Sequence, residues 1–434
     1  MSVEELVGTI DAWVGGQYGA AEPGAAVIVQ KNGETIYRKG VGLANLEWQI
    51  AVEPEMVFRL ASISKQFTAV SVLMLVEAGE LALTDRLTKF LPDYPTNGHV
   101  ITVEQLLAHT SGIKSYTDMP EWLADIGKDY TVEEMIALFK GEPMPFAPDT
   151  RWQYNNSGYV LLGAIIEKVS GQTYAEFVSE NIFKPLEMKD SYYDMAATII
   201  PKRVSGYEGG EGAYVNARYL SMTQVYAAGG LMSTVDDLAR WDEALYTDKL
   251  VKQTTLEKAF TSYKLKDGRD TKYGYGWTVS TYEGLKVVEH SGGIFGFATH
   301  IIRIPEEKIL VAVLSNNPSK PASMLGFKVA VLLAGKVYEE PVGVEIDISE
   351  LGAYVGVYET EERKKWEFEI EDGGLWIIAE GEGRFRVEGL GDDWFFLPHA
   401  PMLRLMFERD EVGEITGIVL SGRTIMSERV RRVG

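Results

Sequence analysis

Residues 62–78 read SISKQFTAVSVLMLVEA, and this stretch sets the centre of the predicted fold. From Val70 to Val76 it is apolar on nearly every side, which is typical of a helix that is buried all round. We therefore predict a central buried helix over residues 62–78, with Ser62 and Lys65 at its beginning.

Ser62 and Lys65 form an S-x-x-K pattern. On a helix, a spacing of three residues places both side chains on one face, within reach of each other. A serine hydroxyl is a weak nucleophile until a neighbouring base accepts its proton. A lysine can be that base when burial and the positive end of a helix disfavour its charged form. The pattern predicts Ser62 as nucleophile and Lys65 as base, although S-x-x-K also occurs often by chance.

A second polar pattern, Y-N-N at residues 154–156, precedes an apolar run over 160–169 that predicts a helix. A phenol held near a lysine can exist partly as phenolate, which makes Tyr154 a candidate to share the base role with Lys65. Asn156 offers both an acceptor and a donor, which suits it to bind a substrate amide and to orient the lysine. Taken alone, the same sequence is typical of an ordinary turn.

A third pattern, EHSGG at residues 289–293, lies at the end of a predicted strand and contains His290, Gly292 and Gly293. The two glycines let a ligand approach the backbone closely. We expect this strand edge to bind a substrate backbone and to supply one donor of an oxyanion hole, the other being the N–H of Ser62. The simpler interpretation is a glycine-rich hairpin with a chance histidine.

In this order, S-x-x-K, Y-x-N and H-x-G resemble the motifs of the penicillin-recognising serine enzymes. That group comprises class C β-lactamases, DD-peptidases, D-aminopeptidases and related esterases, and is also called the β-lactamase-related or CubicO hydrolases. Further stretches look similar at residues 106–112, 228–234 and 273–277, and the resemblance covers about residues 5–335.

The resemblance implies that Ser62 forms an acyl-enzyme, with Lys65 and Tyr154 relaying protons. It also implies that Tyr154 activates the water that hydrolyses this intermediate. The backbone N–H groups of Ser62 and Gly293 are expected to hold the oxyanion. His290 is expected to line the pocket, and His109, inside the stretch 106–112, to be structural.

The sequence departs from the β-lactamase pattern at His290, where those enzymes usually have a lysine. An ordinary histidine is mostly neutral at pH 7, which weakens the recognition of penicillin-like anions. We therefore favour a serine peptidase or amidohydrolase acting on small peptides, including those with D-residues. A carboxylesterase acting on small acyl esters is the first alternative, followed by a β-lactamase and a non-catalytic, penicillin-binding-like protein.

The composition excludes several classes of function. Of 434 residues, 42 are Lys or Arg and 63 are Asp or Glu, which gives a formal net charge of −21. Such a chain repels nucleic-acid phosphates and anionic lipid, so we expect neither a nucleic-acid nor a membrane partner. The chain has no cysteine, which excludes disulfides, thiol nucleophiles and cysteine-based metal sites.

No pattern indicates a cofactor or a metal. The chain has no glycine-rich phosphate loop and no H-E-x-x-H, and its five histidines include no pair at helical ligand spacing. We therefore expect a reaction that needs neither. The first residues, MSVEELVGTIDAWVGG, lack the basic and apolar segments of a secretion signal, and the longest apolar runs are short, so a cytoplasmic protein is predicted.

The remaining patterns predict a mixed α/β (α+β) fold. Strands are predicted in a hairpin over 25–42, where Asn32-Gly33 suits a tight turn. Further strands are predicted at 275–281, 285–290, 298–304 and 309–315. A mostly helical stretch from 80 to 245 and a helix over 321–335 complete an antiparallel sheet covered by helices, with a separate helical lobe. This hydrolase domain is assigned to residues 1–340.

Residues 345–434 are predicted to form a second, all-β domain. About eight short strand-like runs separated by turn residues indicate a small antiparallel barrel or sandwich. The region resembles the lipocalin-like barrel appended to some members of the family. Two roles are open: the barrel restricts the mouth of the active site, or it builds a homo-oligomer. Five of its aromatic residues are expected in its own core: Trp366, Trp376, Trp394, Phe395 and Phe396.

Overall fold

In the computed structural model, which describes residues 1–210, 212–361, 363–380 and 383–433, the chain divides into two units, Met1–Val337 and Tyr338–Gly434. The helices of the first unit are α1 (Val3–Gln17), α2 (Ser64–Glu77), α3 (Leu87–Phe90), α4 (Val103–Leu107), α5 (Val132–Phe139), α6 (Asn156–Ser170), α7 (Tyr174–Val178), α8 (Met222–Gly229), α9 (Val235–Ala244), α10 (Gln253–Ala259) and α11 (Ala322–Leu333). Its strands are β1 (Ala25–Lys31), β2 (Glu34–Val41), β3 (Leu43–Asn45), β4 (Ile50–Ala51), β5 (Phe58–Arg59), β6 (Tyr192–Tyr193), β7 (Tyr207–Gly210), β8 (Ala213–Asn216), β9 (Leu231–Ser233), β10 (Thr278–Tyr282), β11 (Leu285–Ile294), β12 (Phe297–Ile304) and β13 (Ile309–Ser315).

The main sheet is antiparallel and has the strand order β10-β11-β12-β13-β1-β2, so the predicted antiparallel sheet flanked by helices is confirmed. The predicted hairpin is the β1–β2 pair, and Asn32 and Gly33 at its turn have φ angles of 55° and 79°. The strand predicted at 275–281 begins later, at Thr278. Every residue of β13 is buried, and its all-apolar sequence up to Ser315 explains why it lies between two neighbours at the centre of the sheet.

The helices cover this sheet and form a separate lobe. Helix α11 packs against β12 and β13 and also contacts α1, whereas α9 packs against β1 and β13. The lobe is built around contacts of α6 with α2, α4, α5 and α8. The predicted helical stretch is interrupted by the short strands β6 to β9, of which β9 pairs with β5 and β6. Within the described ranges, no helix has both the length and the apolar character needed to cross a bilayer.

The predicted central helix is present and buried. A 3-10 turn over Ala61–Ile63 leads into α2, in which most residues from Ser64 to Leu75 are buried. Several of its buried polar side chains are hydrogen-bonded, which offsets the cost of taking them out of water. The Ser64 hydroxyl accepts a hydrogen bond from the backbone of Leu231 at 3.0 Å, for example.

The second unit is a closed barrel of eight antiparallel strands, which decides between the barrel and the sandwich that the sequence left open. It contains α12 (Ile348–Leu351), β14 (Gly356–Glu359), β15 (Lys365–Glu371), β16 (Gly374–Ala379), β17 (Gly383–Gly391), β18 (Trp394–Leu397), β19 (Ala400–Arg409), β20 (Ile415–Gly422) and β21 (Glu428–Arg432). Strand β14 closes the barrel by pairing with β21.

Aromatic side chains fill the interior of this barrel, but not all those that the sequence suggested. Trp366 and Phe395 belong to its core, and Phe396 is also buried. Trp394 is instead 36% exposed, because neighbouring residues of a strand point to opposite faces and Phe395 takes the inner position. Trp376 is half-buried, with its ring centroid 4.5 Å from the Arg384 guanidinium.

Candidate active site

Ser62 lies in the 3-10 turn that precedes α2. The preceding residue, Ala61, has a φ of 49°, a conformation that is uncommon for a residue with a Cβ atom. The turn is held from two sides: the N–H of Leu60 donates to the carbonyl of Leu231 at 2.9 Å, and the Leu60 carbonyl accepts from the Thr299 hydroxyl at 2.8 Å. This clamp between β9 and β12 maintains a strained backbone that presents Ser62 to a cavity.

Lys65 is fully buried and lies against Ser62, as the S-x-x-K spacing predicts. Its amine nitrogen contacts Ser62 Oγ at 3.1 Å, Asn156 Oδ1 at 2.8 Å and the carbonyl of Ala228 at 2.8 Å. Burial lowers the pKa of Lys65 well below its ordinary value. The amide oxygen of Asn156 and the carbonyl of Ala228 can only accept, so when Lys65 is neutral they take its two N–H groups. The lone pair of that amine is then left for the Ser62 O–H.

Two features that the sequence did not reveal hold these partners in place. Helix α8 is kinked at Tyr226, which has φ 39° and ψ −128°, and the carbonyl of Ala228 lies just after this kink. On α6, the Asn156 amide nitrogen donates to the Thr117 hydroxyl at 3.0 Å, which leaves its oxygen for Lys65. A backbone carbonyl has no residue signature, although Ala228 lies in a stretch that resembles the family.

Tyr154 lies in the loop before α6, with its ring centroid 4.7 Å from the amine nitrogen of Lys65. Its hydroxyl is shielded from solvent and makes no hydrogen bond with the described part of the chain. Burial raises the pKa of Tyr154, and the nearby Ser62 hydroxyl offsets part of that effect. These directions disfavour the phenolate of Tyr154 that we considered from the sequence, and they favour the neutral form of Lys65.

A cluster of aromatic rings around His109 keeps water away from Lys65. The His109 ring centroid lies 4.5 Å from that of Tyr154, 5.1 Å from that of Tyr159 and 4.6 Å from that of Tyr273. Burial lowers the pKa of His109 well below its ordinary value. His109 is therefore a neutral packing residue next to Lys65, which agrees with its expected structural role.

His290 is buried and does not line the cavity, contrary to our expectation. Its Nδ1 donates to the carbonyl of Ser291 at 2.6 Å, so its Nε2 accepts from the Tyr273 hydroxyl at 2.9 Å. Burial lowers the pKa of His290 to about 3. Side chains alternate along β11, and His290 points into the protein whereas Ser291 is exposed. His290 is thus neutral, as expected, but its side chain lies behind the cavity wall.

The two glycines of β11 differ in what surrounds them. A Cβ atom at Gly292 would lie 2.2 Å from the carbonyl oxygen of Leu60 and 2.3 Å from Thr299 Oγ1, so Gly292 permits the close packing of β11 on the Ser62 turn. A Cβ at Gly293 would meet nothing within 4 Å, and Gly293 lines the same cavity as Ser62. Of the seven predicted site residues, Ser62, Asn156 and Gly293 therefore line the cavity.

This cavity has a volume of about 370 Å³. Its wall is mainly apolar and aromatic, and among the described residues that line it Glu208 is the only charged one. Glu208 carries no sequence signal of this position, because a single glutamate in a glycine-rich hairpin is not distinctive. Other lining residues include Tyr116, Trp122, Leu123, Val225, Ile294 and Phe295.

The antiparallel sheet, the Ser62–Lys65 pair on a buried helix and the loop of Tyr154 and Asn156 together define a β-lactamase-fold serine hydrolase. A family model described as beta-lactamase matches residues 10–335. The chain therefore belongs to the β-lactamase family.

Individual relatives are similar over most of the chain. A penicillin-binding protein of Bacillus subtilis (strain 168) is 29% identical over 398 residues, which cover 86% of this chain and 87% of that protein. The octameric penicillin-binding protein homologue from Pyrococcus abyssi is 30% identical, with a TM-score of 0.70, and the match covers 99% of this chain and 100% of that one. A D-stereospecific amidohydrolase from Streptomyces sp. is 25% identical, with a TM-score of 0.64, over 75% of this chain and 98% of that one.

Proposed function

We propose that the protein forms an acyl-enzyme on Ser62 and hydrolyses amide bonds of small peptides, including peptides with D-residues. One observation carries this proposal: the buried amine of Lys65 lies 3.1 Å from Ser62 Oγ and its other two partners are pure acceptors. That arrangement gives Ser62 the neighbouring base that a serine nucleophile requires.

In the proposed reaction, Ser62 Oγ attacks the substrate carbonyl carbon while Lys65 takes the hydroxyl proton. The N–H groups of Ser62 and Gly293 bind the resulting oxyanion. When the C–N bond breaks, the leaving amine receives the proton from Lys65, directly or through the Tyr154 hydroxyl. Water then attacks the acyl-enzyme and gives its proton to the same pair, which releases the acid and restores Ser62.

The proposed substrate class is supported by the cavity and by the relatives. A cavity of about 370 Å³ suits a ligand of one or two residues. The position at which β-lactamases usually place a lysine holds the neutral His290, so this group offers no cation to a penicillin carboxylate. One relative is named a D-stereospecific amidohydrolase, which supports an amide substrate with a D-residue.

A carboxylesterase is the second candidate, because the apolar wall of the cavity also suits a short acyl chain. A short-chain nitrophenyl ester, D- and L-aminoacyl anilides and nitrocefin, measured side by side, distinguish the candidates. We expect the highest kcat/KM with a D-aminoacyl anilide. Turnover of the ester alone would favour the esterase, and turnover of nitrocefin alone a β-lactamase. If Ser62 is not labelled by a fluorophosphonate and nothing is turned over, the protein is a binding protein.

We further propose that residues 1–340 carry the activity and that residues 345–434 serve self-association. The relative from Pyrococcus abyssi, which matches over 99% of this chain, is described as octameric, and this supports an oligomer. Light scattering coupled to size-exclusion chromatography tests it. We expect a mass that is a multiple of 48.2 kDa, and a monomer at all accessible concentrations would contradict the proposal.

A further inference from the structure

Glu208 lies in β7, in a hairpin whose position depends on two glycines. A Cβ atom at Gly206 would lie 3.1 Å from the Cα of Gly296, and a Cβ at Gly296 would lie 2.7 Å from the Cα of Gly206. The backbone before β7 therefore packs directly on the turn between β11 and β12. Tyr207 is buried, so alternation along the strand turns Glu208 to the opposite side, where it lines the cavity beside Phe295.

The carboxylate of Glu208 is only partly neutralised. Arg218 Nε lies 3.2 Å from Glu208 Oε2, and the Arg218 guanidinium carbon lies 4.1 Å from the centroid of the Phe295 ring. The Arg218 side chain is 58% exposed and does not line the cavity, whereas that of Glu208 is 23% exposed and does. A carboxylate can accept about four hydrogen bonds, so Glu208 keeps acceptor positions for a ligand in the cavity.

Besides Arg218, which pairs with Glu208, two buried ionisable groups lie close to the cavity wall. Burial lowers the pKa of both Lys65 and His290, so both groups favour their neutral forms. Glu208 therefore places a carboxylate at the cavity wall while its partner Arg218 lies outside the lining, and the formal net charge of −21 adds a long-range attraction for cations. An apolar cavity with one carboxylate suits a ligand with an apolar body and one cationic group.

We propose that Glu208 binds the free amino group of the substrate, so that the enzyme selects amino-acyl amides and short peptides with an unblocked amino terminus. This proposal rests on the proposed function of Ser62. It adds that the amino group of the substrate is bound by a residue outside the three sequence motifs. An N-acylated substrate loses the charge that Glu208 recognises.

Steady-state kinetics with matched substrates test the proposal. The p-nitroanilides of D- and L-phenylalanine are each compared with their N-acetylated forms, in the wild type and in Glu208→Gln. We expect the wild type to prefer the free amines and Glu208→Gln to lower kcat/KM for them by about 10- to 100-fold, the loss typical of one charged hydrogen bond. The acetylated forms should change less than about twofold. Glu306→Gln, at an exposed carboxylate in the turn before β13, serves as the matched control.

A second readout does not depend on turnover. The diphenyl ester of 1-amino-2-phenylethylphosphonate and its N-acetyl derivative label an activated serine, and the ratio of their labelling rates at Ser62 measures selection for the amine. Arg218→Gln should retain or increase this ratio, because it removes the competing cation. If Arg218→Gln and Glu208→Gln lower the ratio of labelling rates equally, selection for the amine depends on the intact ion pair and not on Glu208 alone. That result would overturn the proposal.

Three further outcomes separate this proposal from the proposed function. If Glu208→Gln lowers kcat/KM equally for the free and the acetylated compounds, the proposed role of Glu208 is overturned. The proposed hydrolysis at Ser62 would not be affected by that result. A preference for succinylated substrates that disappears in Arg218→Gln would show carboxylate recognition instead, and would also overturn it. Absence of both turnover and labelling at Ser62 in the wild type would overturn the proposed function itself.

Discussion

The hydrolase cavity and the interior of the barrel differ in how their buried tyrosine hydroxyls are hydrogen-bonded. In the barrel, the Tyr354 hydroxyl donates to Asp393 at 2.7 Å and the Tyr358 hydroxyl donates to the carbonyl of Tyr354 at 2.9 Å. Beside the cavity, the Tyr154 hydroxyl makes no hydrogen bond with the described residues, and Lys65 is buried among them with acceptors but no carboxylate partner.

This difference indicates that the barrel interior is organised for stability and that the surroundings of the cavity are organised for a reaction. A buried polar group without a full set of partners costs free energy, and proteins retain such groups mainly where a reaction uses them. The barrel interior is filled by its own aromatic rings, including Phe368, Phe395 and Phe407, which pack edge to face. Substitutions beside the cavity should therefore affect catalysis more than stability, and substitutions in the barrel the reverse.

The largest effect is expected from Ser62→Ala. Removal of the nucleophile should lower kcat/KM by roughly 10⁴-fold or more, because the remaining groups cannot form the acyl-enzyme. The circular dichroism spectrum should not change and the unfolding temperature should change little, since the Ser62 hydroxyl lies at the cavity wall next to Lys65 and Tyr154. Fluorophosphonate labelling checks the same residue, and labelling that persists in Ser62→Ala would place the nucleophile elsewhere.

Lys65→Met should reduce kcat/KM nearly as much, by on the order of 10³-fold, because nucleophile and base act as a unit. It should also stabilise the protein at neutral pH. The folded state holds the pKa of Lys65 below its ordinary value of 10.5, so the unfolded chain binds more protons between these two values. The wild type should therefore gain stability, relative to Lys65→Met, as the pH rises through that window. Urea unfolding of both proteins from pH 6 to pH 10 measures the difference between their unfolding free energies. If the two plots of unfolding free energy against pH run parallel, Lys65 is charged in the folded protein.

Tyr154→Phe removes a buried hydroxyl that makes no hydrogen bond with the described residues, so the free energy of unfolding should stay the same or rise. The value of kcat/KM should fall by about 10²- to 10⁴-fold, the usual contribution of a residue that transfers protons. A burst of product followed by a slow steady state would assign the loss to hydrolysis of the acyl-enzyme. Unchanged kinetics would exclude Tyr154 from proton transfer.

The two adjacent glycines of β11 provide a matched pair for stability. Gly292→Ala should cost about 1–3 kcal/mol of unfolding free energy, because its Cβ would overlap the carbonyl of Leu60 and the Thr299 hydroxyl. Gly293→Ala should cost much less, since its Cβ meets nothing within 4 Å. Denaturant unfolding measures both variants. Equal losses would mean that β11 does not pack on the Ser62 turn in the way described.

The sequence predicted the motif residues well because each motif combines a chemical requirement with a local spacing. The proximity of Ser62 and Lys65 follows from one helical turn, and the contact of Asn156 with Lys65 follows from the acceptor that its amide side chain offers. The position of His290 was missed, since the side of a strand that faces a cavity depends on how β11 packs on the Ser62 turn. Glu208 was missed because its place in the cavity depends on the close approach of Gly206 and Gly296, which are 90 residues apart.

The same reasoning applies to the barrel. Its existence followed from the spacing of strands and turns, whereas Trp394 was wrongly expected in the core because neighbouring positions on a strand alternate between its two faces.

Tyr358→Phe should give the smallest effect. It removes the hydrogen bond to the carbonyl of Tyr354 and should lower the stability of the barrel by about 1 kcal/mol, with kcat/KM unchanged. Urea unfolding followed by tryptophan fluorescence, together with the anilide assay, measures both quantities. Because Tyr154→Phe carries the same chemical change, a loss of activity in Tyr358→Phe would show that hydrogen bonding inside the barrel supports catalysis, and the contrast between the two regions would no longer hold.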